Sequence, residues 1–201
     1  NNIEDNIDEV RSKLIDSLKI RLRSDVPIAF CLSGGIDSSA LVSLSSKLFN
    51  IQPTCFSIID EDPRYDERKN ILLTKKDTNC KTEFIKLKKQ KNSVFFEELE
   101  KLINYHDSPI STISYYVHSK ISQRAKNSGF KVILSGTGAD EIFTGYYDHS
   151  ILFLNEIKKT KFYLKELKSW KKNILPNIRN KTLKNYNLFT NNSNFRDHIY
   201  T

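Results

Sequence analysis

The chain contains the stretch Leu32-Ser33-Gly34-Gly35-Ile36-Asp37-Ser38-Ser39, which lies between a short apolar run and a helical pattern. A strand, a tight glycine turn and a helix start in this order are typical of a phosphate site. The glycines let backbone N–H groups face one point, and the helix start adds unpaired N–H groups and a positive dipole end. We therefore predict an anion cradle at residues 33–39, in which Asp37 holds Mg²⁺ against phosphate oxygens.

A plain turn followed by a helix N-cap would use the same residue types, because Asp and Ser are favoured caps. The complete string between a strand and a helix favours the phosphate site. It is not a Walker A loop, which would need a lysine after the last glycine. The string instead resembles the pyrophosphate-binding loop of the ATP pyrophosphatases, the enzymes that split ATP between its α and β phosphates.

Composition indicates one globular domain. The chain has 201 residues, of which 38% are hydrophobic, and it has no apolar run long enough to span a membrane. Its acidic, polar start does not match a secretory signal. Cys31, Cys55 and Cys80 lack metal-ligand spacing, and we interpret them as buried thiols in a reducing compartment. We therefore expect a cytoplasmic protein without a membrane partner.

The net charge of +8 is placed unevenly along the chain. Residues 1–150 hold 21 basic and 21 acidic side chains, whereas residues 151–201 hold 11 basic and 3 acidic ones. A basic tail can bind RNA, a membrane or an acidic partner, but it can equally be the solvated face of helices. The tail has no arginine-rich or glycine-aromatic pattern, so we favour the solvated face over a nucleic-acid partner.

Strand and helix patterns alternate along the first two thirds of the chain. Short buried runs predict strands near 27–32, 53–59, 82–87 and 131–134. Helical spacing predicts helices near 3–22, 66–78, 93–105 and 113–127, and another helix that follows the first loop and ends at residue 49. This alternation predicts an α/β fold with a parallel sheet and helices on both faces. We expect residues 1–150 to form the domain core and residues 151–201 to form a helical, basic and incomplete part of the same domain.

A second loop, residues 135–141, has the same pattern as the first, in which a strand is followed by a Ser-Gly turn, an acidic residue and a helix. It reads Ser-Gly-Thr-Gly-Ala-Asp-Glu and follows the fourth predicted strand. If the first and fourth strands flank the switch point of the sheet, both Ser-Gly turns face one crevice. Asp37 and Asp140 could then hold one Mg²⁺ on ATP. Acidic residues at an ordinary helix N-terminus are the alternative for Asp140.

Together the two loops resemble the synthetase domain of type B asparagine synthetases. The match runs through residues 33–39 and 135–146, and Tyr65-Asp66-Glu67 and Asp107-Ser108-Pro109 also resemble that family. The resemblance implies an adenine nucleotide alpha hydrolase-like fold of the ATP pyrophosphatase type. The tail, with Asn194-Phe195-Arg196-Asp197-His198, is similar to a branch associated with lipopolysaccharide-type glycan biosynthesis.

The resemblance also implies which residues bind ATP and the metal. Pyrophosphate would lie on Ser33, Gly34, Gly35, Asp37, Ser38 and Ser39. The adenosine part would lie against Cys31, Ile58, Ser135 and Gly136. Mg²⁺ would be held by Asp37 and Asp140. The implied chemistry is adenylation of a carboxylate, followed by attack of ammonia on the acyl-adenylate.

The chain departs from the family at Thr137, where asparagine synthetases carry a glutamate that manages protons. A threonine hydroxyl cannot act as such a base. Three explanations remain open. Another residue handles the protons, the acceptor carboxylate is not aspartate, or the domain is catalytically weakened. Glu141, Tyr146 and His149 are titratable side chains near this position, although each can be purely structural. A later catalytic lysine of the family has no match in these residues, and the glutaminase that supplies ammonia is absent from them.

Three functions are therefore compared. The first is an ATP-dependent carbon-nitrogen ligase that amidates aspartate or a sugar acid, with ammonia from a glutaminase domain outside this chain. The second is a relative of the tRNA-modifying ATP pyrophosphatases, which would explain the basic tail but not the second loop. The third is a catalytically weakened nucleotide-binding module, which Thr137 would explain.

Overall fold

The computed structural model describes residues 3–63, 66–87 and 91–187. These residues divide into two compact units, one ending at Gly136 and the other beginning at Thr137. Two stretches used in the resemblance lie wholly or partly outside the described residues. They are Tyr65 and the tail motif at 194–198. The expected division of the domain, with a core at residues 1–150 and a helical part at residues 151–201, stays a prediction.

The first unit is a parallel α/β structure. Its strands are β1 (Ile28–Cys31), β2 (Thr54–Ile59), β3 (Lys81–Lys86) and β4 (Val132–Leu134). Its helices are α1 (Ile3–Arg21), α2 (Ile36–Phe49), α3 (Arg68–Thr78), α4 (Asn92–His106) and α5 (Ser114–Asn127). Every element that the sequence predicts is present with bounds shifted by at most two residues, so the predicted fold class is confirmed.

The strands are ordered β3-β2-β1-β4, and all three pairings are parallel. From β1 the chain moves outward through β2 to β3 and then returns to place β4 on the other side of β1. Ala29 pairs with Thr54 on one side and with Ile133 on the other. The first and fourth strands therefore flank the switch point of the sheet, which is the condition for both Ser-Gly turns to face one crevice.

Alternating side chains of the strands enter two separate apolar layers. Phe30 and Cys55 pack with Val42 of α2 and Ile71 of α3 on one face of the sheet. On the other face, Ala29 and Phe56 pack with Ile121 and Ala125 of α5. Because β1 and β2 have a helix layer on each face, their sequences are apolar at nearly every position.

The second unit is helical. It contains α6 (Ala139–Phe143), α7 (Tyr147–Glu156), α8 (Tyr163–Asn173) and α9 (Lys181–Lys184), with 3-10 turns at Ile157–Lys159 and Leu175–Asn177. Its core joins Ile151, Leu154, Trp170 and Ile178. The indole of Trp170 donates a hydrogen bond to Ser150 at 3.0 Å. Among the described residues, no helix is both long enough and apolar enough to cross a membrane.

Candidate functional site

The first Ser-Gly loop leaves β1 and turns directly into α2. Gly34 has a φ of 88°, a conformation that L side chains rarely adopt. A β-carbon at this position would stand 3.0 Å from both Cβ and the carbonyl oxygen of Glu67, at the start of α3. Glycine is therefore required here for both its conformation and its size.

Two serines brace the loop internally. The Ser33 N–H donates to the Ser38 hydroxyl at 3.1 Å, and the two hydroxyls lie 3.0 Å apart. The Gly35 N–H donates to the Ser33 hydroxyl at 3.2 Å, and the Ser38 hydroxyl donates to the Gly35 carbonyl at 3.3 Å. Ser38 is buried, so its hydroxyl holds the shape of the loop.

The start of α2 presents backbone donors. Gly35 is its N-cap, and no side chain caps the helix. The first helical hydrogen bond runs from the Ser39 N–H to the Gly35 carbonyl at 3.1 Å. The N–H groups of residues 36–38 precede it and have no acceptor within the helix. Together with the helix dipole, they make this end of α2 suited to an anion.

Ser39 is held toward α3. Its hydroxyl accepts a hydrogen bond from the Thr74 hydroxyl at 3.1 Å. The remaining hydroxyl proton of Ser39 is available to a ligand. Its assignment to pyrophosphate stays a prediction.

The second Ser-Gly turn packs against the first loop. A β-carbon at Gly136 would stand 3.0 Å from Cβ of Asp37 and 3.0 Å from the backbone nitrogen of Ser38. The turn after β4 therefore closes directly over the start of α2. This contact places both Ser-Gly turns at the switch point, where open parallel sheets bind ligands.

The residues expected at adenosine share one face of the sheet. Cys31 and Ile58 are partly buried and contribute to the apolar layer on the α5 side. Burial raises the pKa of the Cys31 thiol to about 11, and a hydrogen bond with Ser135 partly opposes that rise. Cys31 and Ile58 thus lie on the same face of the sheet, and Ser135 contacts Cys31. Their assignment to adenosine stays a prediction.

Asp37 is the carboxylate of the first loop and lies at the first turn of α2. Within the described part of the chain, no group of three or more His, Cys, Asp or Glu side chains could hold a metal by itself. Mg²⁺ is commonly held by one or two carboxylates together with phosphate oxygens and water. The hard oxygen donors of the first loop fit Mg²⁺ held in that manner.

Asp140 and the other acidic residue of the second loop belong to the second unit. Asp140 lies in α6, and its carbonyl accepts the Gly145 N–H at 2.9 Å. A β-carbon at Gly145 would collide with the Asp140 carboxylate. The glycine therefore allows the chain to fold back closely on Asp140.

The titratable side chains considered in place of a glutamate at Thr137 lie together in this unit. The Tyr146 hydroxyl donates to the Glu141 carboxylate at 2.8 Å, and this bond lowers the pKa of Glu141. The Tyr146 ring meets the His149 ring edge-on, with centroids 5.2 Å apart. Nδ1 of His149 is buried and has no hydrogen-bond partner among the described residues. The geometry joins the three side chains but does not assign them a role in proton transfer.

Two contacts of the first loop were not predicted. In the sequence, Glu67 was noted only as part of a motif that resembles the family. In the structure it packs against Gly34, and burial raises the pKa of its carboxyl. Thr74 contacts Ser39 across 35 positions of sequence. The sequence has no signal for the Thr74 contact, since it depends on how α2 and α3 pack.

A cavity of about 470 Å³ lies elsewhere in the first unit, between the end of β3, α4 and α5. Three cations line it, namely Lys86, Lys120 and Arg124. Lys120 pairs with Glu98 at 2.6 Å, and Arg124 pairs with Glu83. Phe95 and Tyr116 supply much of its apolar wall. None of the residues of the two Ser-Gly turns lines this cavity, so it is not the candidate site.

The structure is a parallel α/β protein with two Ser-Gly turns at the switch point of its sheet. Comparison with known proteins shows its family. The family model described as asparagine synthase matches residues 9–196. Asparagine synthetase [glutamine-hydrolyzing] 1 of Bacillus subtilis is 33% identical over 141 residues, which are 70% of this chain and 21% of that protein. Amidase chyE of Penicillium rubens is 29% identical over 157 residues, 71% of this chain and 23% of that protein.

The chain belongs to the asparagine synthase family, because the family model covers most of its length. It spans about a quarter of the length of the curated relatives that it matches, or less.

Proposed function

We propose that the chain carries the ATP-binding part of an enzyme that activates a carboxylate as an acyl-adenylate for amidation. The observation that carries this proposal is the contact of Gly136 with Asp37 and Ser38. It joins the two Ser-Gly turns at the switch point of the sheet. Membership of the asparagine synthase family supports ATP as the nucleotide. Both relatives have names that refer to amide chemistry.

In this proposal the first loop binds the departing pyrophosphate. The N–H groups at the start of α2 and the hydroxyls of Ser33 and Ser39 stabilise negative charge that develops during in-line displacement at the α phosphate. Asp37 and Asp140 would hold Mg²⁺, which when bound neutralises phosphate charge. Cys31, Ile58 and Ser135 orient the adenosine part. No nucleophile from the protein is needed.

The acceptor is a carboxylate such as aspartate or a sugar acid, and the nitrogen donor is ammonia. A glutaminase domain outside these residues would supply the ammonia. Thr137 argues for an acceptor or a proton-handling residue that differs from those of asparagine synthetases. The three free thiols support a cytoplasmic setting for the reaction.

Exchange of labelled pyrophosphate into ATP tests the proposal on the full-length protein. We expect exchange that depends on Mg²⁺ and on one carboxylate among aspartate and the uronic acids. Asp37→Ala should abolish it. Asp77→Ala is the matched control, because Asp77 is an exposed carboxylate that pairs with Lys47 at the far end of α3.

The outcomes separate the three functions. Exchange with an acidic acceptor supports the ligase. Tight ATP binding without exchange for any carboxylate would show a nucleotide-binding module instead. Salt-sensitive binding of tRNA together with tRNA-dependent exchange would favour the tRNA-modifying alternative.

A further inference from the structure

The cavity between β3, α4 and α5 has the size of a small-molecule site. Its volume of about 470 Å³ lies within the range of about 300–1,000 Å³ that is usual for ligand pockets. Its walls come from the end of the edge strand β3, the start of α4 and one face of α5. The cavity is therefore built on strands and helices of the first unit.

One face of α5 lines the cavity along most of the helix. At 3.6 residues per turn, the five lining residues of this helix fall within an arc of about 100°. They are Tyr116, Lys120, Gln123, Arg124 and Asn127. The first and last of them are eleven positions apart, which corresponds to about 17 Å of helix. The cavity is thus long enough for a ligand with two chemically different ends.

Aromatic rings lie at the end of the cavity where α5 begins. Phe95 of α4 meets the ring of Tyr116 edge-on, with centroids 5.0 Å apart. Ile85 and Leu87, from the end of β3, also line the cavity. A flat apolar group gains free energy by leaving water for such a surface. This end therefore suits the apolar body of a ligand.

The end of the cavity where α5 terminates is polar. The side-chain amide of Gln123 donates to Asn127 at 3.1 Å. Arg124 contacts Glu83 through Nε. Among the described residues, the terminal nitrogens of Arg124 make no hydrogen bond, so their N–H groups can donate to a ligand. A guanidinium presents such N–H groups in the geometry that a carboxylate accepts.

Lys120 lies between these two ends. Its Nζ is 2.6 Å from the Glu98 carboxylate and 4.8 Å from the centroid of the Tyr116 ring. Burial lowers the pKa of Lys120, but its contacts with Glu98 and Tyr116 outweigh burial and leave the pKa raised. Lys120 is therefore positively charged at neutral pH.

The charges around the cavity favour an anion. Among the residues that the structure describes, none that lines the cavity is acidic, whereas Lys86, Lys120 and Arg124 line it. Glu83 and Glu98 stand beside it and pair with two of these cations. One positive charge is left in excess, and an anion is attracted to it.

We propose that this cavity is a binding site for a small organic anion, whose flat apolar body lies against Phe95 and Tyr116 and whose carboxylate pairs with Arg124. Tyr116 and Arg124 are eight positions apart, or about 12 Å along the helix, so a chain of several bonds separates the ring of the ligand from its carboxylate. The proposal does not depend on the proposed reaction, because no residue of the Ser-Gly turns lines the cavity.

Isothermal titration of the full-length protein with 4-phenylbutyrate tests the site. This probe joins a ring to a carboxylate through three methylenes, and we expect a dissociation constant below about 1 mM. The matched alcohol, 4-phenylbutan-1-ol, should bind at least about tenfold more weakly, because it lacks the charge. Saturating ATP with Mg²⁺ should leave the affinity for 4-phenylbutyrate unchanged.

Two pairs of variants locate the probe. Arg124→Gln should weaken binding by about tenfold or more, whereas Lys126→Gln removes the same charge from an exposed position outside the cavity and should not. Gln123→Phe should obstruct the cavity, whereas Ser122→Phe places the same ring on the same helix outside it. Circular dichroism confirms that each variant is folded.

Four results would overturn the proposal. The first is an absence of binding at 10 mM 4-phenylbutyrate, about ten times the expected limit. The second is equal affinity for the acid and the alcohol. The third is an affinity that changes equally in the two variants of either pair, since charge or apolarity anywhere on the surface would then explain it. The fourth is displacement by ATP, which would place the probe in the Ser-Gly loops.

Discussion

Gly136 lies against Ser38 so closely that a β-carbon on Gly136 would stand 3.0 Å from the Ser38 backbone nitrogen. These residues are almost a hundred positions apart, and the contact joins the turn after β4 to the start of α2. The backbone of Gly136 is not in the left-handed region that favours glycine. Its small size, rather than its conformation, is therefore what the contact requires.

Gly136→Ala is expected to weaken ATP binding by about ten- to a hundredfold, because the methyl group must displace Asp37 or the start of α2. Isothermal titration of the full-length protein with ATP and Mg²⁺ measures this. Gly129→Ala is the control: Gly129 has a φ of 86° in open space, so alanine there strains the backbone away from the site. It should lower stability and leave ATP affinity unchanged. Equal affinity in the two variants would contradict the prediction.

Cys31 should react with iodoacetamide much more slowly than an exposed cysteine at pH 8. With a pKa of about 11, roughly one thiol in a thousand is ionised at that pH. The rate should rise steeply as the pH approaches 11, and mass spectrometry of the modified peptide follows it. ATP with Mg²⁺ should protect the thiol if adenosine lies against it. Full reactivity at saturating ATP would place the base elsewhere.

Tyr146→Phe should raise the pKa of Glu141 toward its usual value, because the hydrogen bond from Tyr146 is the main cause of its lowering. A carboxyl with a lowered pKa in the folded state stabilises that state above its unfolded pKa, and this contribution is lost as the pH falls through the folded value. The wild type should therefore be more stable than Tyr146→Phe at neutral pH, and the difference should shrink in acid.

Urea unfolding followed by Trp170 fluorescence measures this difference, since Trp170 is the only tryptophan and lies in the same unit as Glu141. Tyr163→Phe removes a different tyrosine hydroxyl from the same unit and serves as the control variant. The pKa of Tyr163 is raised chiefly by burial. A constant stability difference from neutral to acid pH in Tyr146→Phe would refute the assignment.

Thr144→Gly should stabilise the second unit by about 1 kcal/mol. Thr144 ends α6 in the left-handed conformation, with a φ of 58°, and its β-branched side chain is strained there. Asn50→Gly makes the same change at the end of α2, where asparagine already tolerates a φ of 52°, and should gain less. Urea titration of each variant gives both values. A loss of stability in Thr144→Gly would show that its hydroxyl bond to the Phe143 carbonyl outweighs the strain.

The fold was predictable because its signals are local. The apolar runs around Phe30 and Phe56 are bounded by glycine, proline or charged residues, so strand and helix positions follow directly from the pattern. The position of the first loop followed as well, since Gly34 and Gly35 stand between a strand and a helix. The position of β4 beside β1 was only a condition for the two loops to meet, and the pairing of the two strands satisfies it.

The contacts that shape the candidate site were less predictable. Thr74 on Ser39 and Glu67 on Gly34 depend on the distance between α2 and α3, which no local pattern encodes. The bond from Tyr146 to Glu141 depends on the chain folding back at Gly145, where a side chain would collide with Asp140. Such contacts arise from tertiary packing, and residue type alone does not reveal them.

The pairing of Ala29 with Ile133 also has a consequence for folding kinetics. The strands β1, β2 and β3 follow one another, whereas β4 joins β1 only after a loop of about a hundred residues has closed, which is entropically costly and slow. The two Ser-Gly turns meet only when that closure is complete. A nucleotide bound by both turns would favour the closed sheet by mass action. The supply of ATP would thus influence how often newly made chains complete their sheet.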